Sequence, residues 1–271
     1  MKILFVLKKF FAIVQARMGS TRLPGKVLLP IDDQSMLYHV VRQIKYSKFI
    51  KDVIIVTTNS VEDDLIIDFC KKYNVKFFRG SSDDVLDRYY QCAKKFHADP
   101  VLRISSDCPL IDPEIIDKVI IKFSKNTYDY VGSNVMKILS KWENSTCNFP
   151  QGMAVEISTF KALEKAWKES KKPSEREHVF PYIQSNPQLF RISNVANRSN
   201  LSYIRCTVDR EEDLRFVKEI YKRVNKKMAV HVRDIVKIVK KEPALLEINN
   251  NVLFDEGYRK SLAEDAKKGF K

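Results

Sequence analysis

The sequence predicts an α/β fold of three layers, a mostly parallel, mixed sheet with helices on both faces. Three observations carry that reading. Short β-branched runs alternate with segments of helical period from residue 11 to residue 123, the pattern of strand–helix units that feeds a parallel sheet. The apolar runs end in loops of charged and small residues, and such sheets bind ligands at the carboxyl ends of their strands. At 271 residues, 44% apolar and 30% charged, the chain suits one sizeable globular domain with a small appendage. The expected division is a domain over 1–227, whose first ten residues are an extra segment, and a helical extension over 228–271.

Phe11-Ala12-Ile13-Val14 reads as a short buried strand running into the loop Gln15–Lys26. Ser35 caps a helix whose apolar positions are Met36, Leu37, Val40, Val41 and Ile44. Val53–Thr58 is a β-branched strand, Leu65–Tyr73 a helix, Val75–Phe78 a short strand and Val85–Phe96 a further helix. Val101–Ile104 is the next strand, leading to Asp107, and Pro113 opens a helix through Ile116, Val119, Ile120 and Phe123. Lys137–Gln151, with Trp142, Asn144, Ser145, Asn148 and Pro150, has no period and reads as a long loop of the kind that forms lids or binding loops. Val155–Ile157 is a strand, followed by a helix through Phe160, Leu163, Ala166 and Trp167. Lys171–Ser174 breaks that helix, and Ser174 with Glu177 fits a capping box for the next. Phe190–Val195 and Tyr203–Val208 are expected as strands, the second ending at Asp209 before a helix through Leu214, Val217, Ile220, Tyr221 and Val224. The remainder reads as two helices, packed on the outside or against a partner subunit.

The formal charge of +14 calls for an anionic partner, yet Lys is so abundant that much of it reads as solvated helix surface. With no zinc-finger spacing, no RNA-recognition aromatic motif and no single basic helix, nucleic acid is not the expected partner. Cys70, Cys92, Cys108, Cys147 and Cys206 are scattered without a CxxC pair, which suggests neither a zinc site nor a disulfide framework and points to reduced thiols. Met1–Phe10 carries too short an apolar run before its lysines, and no cleavage pattern, to fit a signal peptide. No uncharged apolar stretch is long enough to span a bilayer. A cytoplasmic setting is expected.

The loop Gln15–Lys26 places Arg17, Arg22 and Lys26 around Gly19, Gly25 and the hydroxyls of Ser20 and Thr21. Glycine lets backbone N–H groups approach an anion, and Arg and Lys add charge-assisted hydrogen bonds to phosphate oxygens. Alone, the loop reads equally as a solvated basic turn. Asp107 ends an apolar strand among small residues, where it can hold a hard cation or cap the turn before Pro109. Asp209, in Thr207-Val208-Asp209, stands in the same kind of place and reads equally as the N-cap of the helix that follows. Together the two strand-end aspartates and the basic loop favour a magnesium–phosphate site. Arg103 lies inside a strand, where an unpaired cation is costly, so a carboxylate partner such as Asp87 is expected.

Gln15–Lys26 resembles the signature loop of the cytidylyltransferases that activate acidic sugars, the acylneuraminate and 3-deoxy-manno-octulosonate enzymes. It is more similar still to the nucleotidyltransferase family named for spore-coat polysaccharide biosynthesis. Arg79–Tyr90, Ser106–Asp112, Glu175–Val179 and Thr207–Leu214 resemble four further blocks of that family, in order, within residues 11–225. The resemblance implies a glycosyltransferase-A-like nucleotidyltransferase fold, usually dimeric. It implies attack by a substrate oxygen on the α-phosphate of CTP with release of pyrophosphate, magnesium on Asp107 and Asp209, and Arg17, Arg22 and Lys26 as the catalytic cations.

The nucleotide site implied in the same way comprises Gln15, Ala16, Arg17, Gly19, Ser20, Lys26, Arg79, Ser81, Asp83, Asp87 and Ser106. Arg103, Gln151, Glu156, Arg176 and His178 stand as acceptor contacts, Arg176 foremost because its fork suits a carboxylate or phosphate. His178 reads as an acceptor contact, as a base, or as a satisfied structural histidine. Gln151 and Ala154 replace acidic residues that the family often carries in the block Gln151–Glu156, a departure that bears on the acceptor. The expected protein is a homodimer that takes CTP and an acidic-sugar acceptor and binds neither nucleic acid nor membrane. Another nucleotide or a sugar-phosphate acceptor is the enzyme alternative; a nucleic-acid binder and an inactive nucleotide-binding module are the others, and retention of both aspartates argues against the last.

Overall fold

A computed structural model describes residues 10–125, 127–133, 148–253 and 255–270. Its strands are β1 (Phe10–Gln15), β2 (Pro30–Ile31), β3 (Gln34–Ser35), β4 (Ile50–Thr58), β5 (Lys76–Gly80), β6 (Val101–Ser105), β7 (Tyr130–Gly132), β8 (Glu156–Ser158) and β9 (Ile192–Asn194). β2 and β3 form a small hairpin, and the others make one sheet in the order β5-β4-β1-β6-β8-β7-β9. β5, β4, β1 and β6 run parallel, whereas β8 is antiparallel to both neighbours, so the sheet is mixed as expected.

The helices are α1 (Met36–Lys45), α2 (Asp64–Lys72), α3 (Val85–Phe96), α4 (Pro113–Ser124), α5 (Phe160–Glu169), α6 (Pro173–His178), α7 (Pro181–Ser185), α8 (Glu211–Arg223), α9 (Val232–Lys241) and α10 (Glu256–Lys267). Strand side chains alternate between two cores because successive residues of a strand face opposite ways. Ala12, Val14, Val53 and Ile55 meet Leu37 of α1, Ile116 of α4 and Val217 of α8 on one face. Ile13, Ile54 and Val56 meet Leu86 and Tyr89 of α3 and Leu163 of α5 on the other. Each such Val, Leu or Ile side chain, wholly withdrawn from water, contributes roughly 1.5–3 kcal/mol. Three layers follow from this alternation. Among the described residues no helix is long and apolar enough to cross a membrane.

Three local expectations need correction. Tyr203–Val208 is not a strand; only an isolated bridge joins Gln151 and Arg205. Its backbone is used otherwise: Gln151 exchanges hydrogen bonds with Ile204 and Cys206 at 2.9 Å each, and Val208 N–H donates to Asp107 O at 2.8 Å. Phe190–Val195 shortens to β9. The helix after Lys171 is capped two residues earlier than Ser174 and Glu177 suggested, with Lys172 at the N-cap. Glu175 accepts the N–H groups of Lys171 and Lys172 at 3.1 and 3.2 Å, and Ser174 instead donates its N–H and hydroxyl to Asp265 of α10. The long loop expected at Lys137–Gln151, with Trp142, Asn144 and Ser145, and Cys147 within it, lies outside the described residues up to residue 147, as do residues 1–9.

The residues beyond 228 contribute to the same structure in two ways. Ile235 and Val239 of α9 enter the first core. α10 returns across the carboxyl end of the sheet and lies on α6, with Tyr258, Ser261 and Asp265 buried in the contact.

Candidate active site

Beyond β1, Ala16 continues the strand's bonding by donating its N–H to Val56 O at 3.0 Å. The loop then turns over the carboxyl edge, held from beneath by Asp63. This buried carboxylate accepts Met18 N–H at 2.7 Å, Thr58 N–H at 3.0 Å and the hydroxyls of Thr57 and Thr58. Burial works against its charge, but those hydrogen bonds keep its pKa below the ordinary carboxylate value. Gly25 adopts φ 64°, the left-handed region that glycine tolerates best, and donates its N–H to Met18 O at 3.1 Å. A side-chain carbon placed on Gly19 would meet nothing within 4 Å, so the backbone there is open to a ligand.

Lys26 is the pivot of the edge. Its ammonium donates to Asp107 Oδ2 at 3.3 Å, Asp209 Oδ1 at 2.9 Å and the Val208 carbonyl at 2.7 Å. Burial disfavours the charge, but the two carboxylates outweigh it and raise the lysine's pKa. Asp209 also accepts from Arg22 Nη2 at 2.5 Å and Arg205 Nη2 at 3.2 Å. Burial again opposes ionisation, and Lys26, Arg22 and Arg205 overcome it, drawing Asp209 down to about 2.

Arg205 is locked in turn. It grips the fully buried Asp213 at 2.8 and 3.2 Å and donates to Gln151 Oε1 at 3.0 Å. Asp213 also accepts the N–H groups of Asp209 and Arg210 at 3.0 and 3.1 Å. One carboxylate therefore both caps α8 and fixes the arginine that orients Asp209. The N-cap position belongs to Arg210, which leaves the Asp209 side chain to the cations.

Above this edge lies a cavity of about 650 Å³, walled by the signature loop, by Ser82–Arg88, and by α6 and α10. Gln15, Ala16, Arg17, Ser20, Arg22, Lys26, Asp83, Ser106, Asp107, Arg176 and His178 all line it, as the sequence suggested. Other candidates stand behind the wall. Arg79 donates to Thr58 O at 2.9 Å and Ser60 O at 2.7 Å and pairs with Asp64 at 2.5 Å. Ser81 Oγ accepts the N–H groups of Asp83 and Asp84, shaping the turn into α3. Asp87 accepts from Trp167 Nε1 at 2.8 Å and Gln91 at 3.1 Å, so the expected Arg103–Asp87 pair does not form. Arg103 pairs instead with Glu156 and donates to Gln15 Oε1 at 3.1 Å, while Glu156 also holds Tyr130 and Gln184. That buried network props Gln15 from below. Gln151 serves Arg205, and Arg176 is committed to Asp84 and, at 2.7 Å, to Trp167 O, so its fork is not open to a ligand.

Two parts of the wall escaped the sequence. Arg88 is 1% exposed and donates to Ser81 O at 2.8 Å and Ser82 O at 3.4 Å, with no carboxylate paired to it among the described residues. Burial lowers its pKa, as expected of a cation without a counter-ion. The signal was its spacing, three residues past Val85 on the buried stripe of α3. The second is α10. Gly257, Lys260, Glu264 and Lys268 line the cavity at helical spacing, while Tyr258, Ser261 and Asp265 face α6. Outside the cavity, Asp112, Glu114 and His231 come close enough to share a metal ion. Asp112, however, caps α4 and accepts from His231 Nδ1 at 2.9 Å and Val232 N–H at 2.8 Å, which makes the group a staple for α9.

A Rossmann-like three-layer sheet carrying a basic loop and paired aspartates at its carboxyl edge defines a nucleotidyltransferase. More narrowly, the chain belongs to the cytidylyltransferase family, whose model matches residues 11–256. An uncharacterized Methanocaldococcus jannaschii protein is 39% identical over 90% of this chain and 96% of its own length. The spore coat polysaccharide biosynthesis protein SpsF of Bacillus subtilis is 29% identical over 85% of this chain and 94% of its own. Among solved structures, a cytidylyltransferase from Leptospira borgpetersenii is similar with a TM-score of 0.79 and 34% identity, over 91% of this chain and 99% of that one.

Proposed function

We propose that the enzyme transfers CMP from CTP to a hydroxyl of an acidic sugar or related glycan precursor, releasing pyrophosphate, with magnesium at Asp107 and Asp209. One observation carries the reading: Asp107, just past β6, and Asp209, just before α8, share the Lys26 ammonium at the edge of a cavity lined by Asp107, Lys26 and further cations. Hard oxygen donors around one cation, beside groups suited to phosphate, match what magnesium with a nucleotide requires. Magnesium bound there supplies Lewis-acid polarisation and neutralises charge on the phosphate oxygens.

Arg22 and Lys26 then exchange carboxylate oxygens for those of the triphosphate. Arg17, which makes no ion pair among the described residues, joins them in stabilising the charge that develops on the leaving pyrophosphate. The open backbone at Gly19, the Gln15–Ala16 strand end, Ser20, Asp83, Ser106 and the unpaired Arg88 hold the nucleotide. Arg79, Ser81 and Asp87 act one layer back by fixing the segment around Ser82. Acceptor contacts fall to His178 and to Lys171, Lys260 and Lys268, with Arg103, Gln151, Glu156 and Arg176 as supports. The family resemblance supports a homodimer.

A nucleotide panel with magnesium, read as pyrophosphate release against sugar acids and sugar phosphates, tests the proposal. CTP-dependent release with a sugar acid is the expected result. No turnover with any triphosphate would overturn it.

A further inference from the structure

His178 closes α6 on the cavity wall, and its surroundings settle which ring nitrogen carries the proton. Ser261 Oγ lies 3.0 Å from His178 Nε2, 2.5 Å from Glu177 Oε2 and 3.2 Å from the Gly257 carbonyl. A carboxylate and a carbonyl only accept, so the one hydroxyl proton goes to one of them. Ser261 must then accept from the ring. Nε2 is protonated, and Nδ1 keeps a bare lone pair.

Among the described residues that lone pair has no hydrogen-bond partner; Nδ1 is not one of the sealed polar atoms, and His178 lines the cavity. The backbone points the same way. Val179, buried and β-branched, adopts φ 75° and ψ −54°, and Phe180 N–H donates to His178 O at 3.0 Å, a γ-turn of the strained sense. Strain held next to a cavity-facing side chain is a mark of positioning. Tyr258 of α10 meets the ring edge-on at 4.9 Å.

We propose, resting on the nucleotidyltransferase reading above, that His178 Nδ1 accepts the proton of the attacking hydroxyl, and that Ser261 and Glu177 are positioning residues that fix its tautomer. In this step the acceptor O–H bond breaks and Nδ1–H forms, while the acceptor oxygen bonds to the α-phosphorus. The bond from that phosphorus to the bridging oxygen breaks, and pyrophosphate leaves with the electron pair. The imidazolium then releases its proton to water.

Burial, with a smaller push from Arg103, draws the empty-site imidazole down to about 3 against the opposing charge of Asp265, so the ring is neutral there but a weak base until negative charge is bound beside it. Glu177 and the phenol of Tyr258 are the other titratable groups facing it. A bound triphosphate adds the negative charge that favours the imidazolium as it forms.

The test has two arms. Ring-nitrogen NMR of the wild-type protein at pH 7 is expected to show Nε2 protonated and Nδ1 bare, with Ser261→Ala shifting signal toward the other tautomer; a protonated Nδ1 in the wild type overturns the proposal whatever the turnover. In the second arm, CTP and magnesium are supplied with 3-deoxy-manno-octulosonate or N-acetylneuraminate as probe acceptors. His178→Ala should lower kcat about a hundredfold while leaving the dissociation constant for CTP within about twofold, and added imidazole should restore about tenfold. An unchanged rate, or a loss that imidazole does not relieve, removes His178 from the chemistry. A wild-type protein that neither binds CTP nor releases pyrophosphate overturns the functional reading itself, an outcome separate from either of those.

Discussion

The two walls of the cavity are built on opposite principles. On the wall formed by the signature loop and the strand ends, most charges are already matched, Lys26 with Asp107 and Asp209, Arg22 with Asp209, Arg205 with Asp209 and Asp213, although Arg17 makes no ion pair among the described residues. On the wall formed by α10, Lys260 and Lys268 are exposed and make no ion pair among the described residues; the helix is held by its other face and, at its first turn, by Glu256 pairing with Arg210 and Arg22. The difference corresponds to what each wall would meet. Displacement at phosphorus needs charges fixed in advance, because reorganisation during the reaction costs rate. An acceptor contacted at its periphery needs only attraction.

If the first wall is truly locked, breaking its deepest tie should cost most. Asp213→Ala leaves the Arg205 guanidinium, 6% exposed, without its main counter-ion and removes the cap of α8. Loss of one member of a buried ion pair is worth about 3–5 kcal/mol of stability. Denaturant unfolding checks this, and a loss below about 1 kcal/mol would mean that the wall is not held in this way. Next in size is Asp107→Asn, which keeps the shape of a partly exposed side chain but removes a charge facing Lys26. Magnesium-dependent turnover should fall by about a hundredfold or more with the melting temperature nearly unchanged. Near-normal turnover would remove Asp107 from the metal.

Acid should separate the walls. His178 has a folded pKa of about 3 against an ordinary 6.5, so between those values the unfolded chain takes up a proton that the native ring refuses. Native stability then falls as pH drops from 6.5 toward 3, by up to about 1.4 kcal/mol for each pH unit. Asp209 behaves differently: its folded value of about 2 lies below 3.8, so its contribution is whole above 3.8 and lost only as pH falls from there toward 2. The wall of α6 and α10 weakens first. Urea midpoints from pH 7 to pH 4 for the wild type and His178→Gln check the order; parallel curves would show that the ring does not drive the acid limb.

How much of this could be read in the sequence follows the same division. Apart from the short β2–β3 hairpin, strands and helices through α4 were legible because alternating and helical periods are written in consecutive residues, as at Val53–Thr58 and Met36–Ile44. The first wall was legible because its charges sit in short blocks: a basic loop and two aspartates after apolar runs. Their couplings were not, since Arg103 could have met any nearby carboxylate and found Glu156, 53 residues away. Tyr203–Val208 misled because its alternation suits a strand, whereas its partners are the Gln151 backbone and Asp107 O. α10 was expected as a helix, but nothing local in Gly257, Lys260, Glu264 and Lys268 tells a solvated stripe from a cavity wall. Only the far contacts of Asp265 with Ser174 and of Ser261 with His178 decide that, and they cross 91 and 83 residues of chain.

The smallest effect tests that last assignment. Lys260→Gln with Lys268→Gln removes two exposed cations that line the cavity without touching the buried face of α10, so the fold should be unaffected. Exposed charges interact weakly, about 1 kcal/mol or less apiece, and the pair together should raise the KM for an anionic acceptor roughly tenfold. The KM for CTP should stay near its wild-type value, because the triphosphate cations belong to the other wall. Salt should imitate the substitution: the wild-type acceptor KM should climb with ionic strength and that of the double variant should hardly move. A rise in the KM for CTP equal to that for the acceptor would mean that the lysines serve the triphosphate, and the two walls would then be one electrostatic surface.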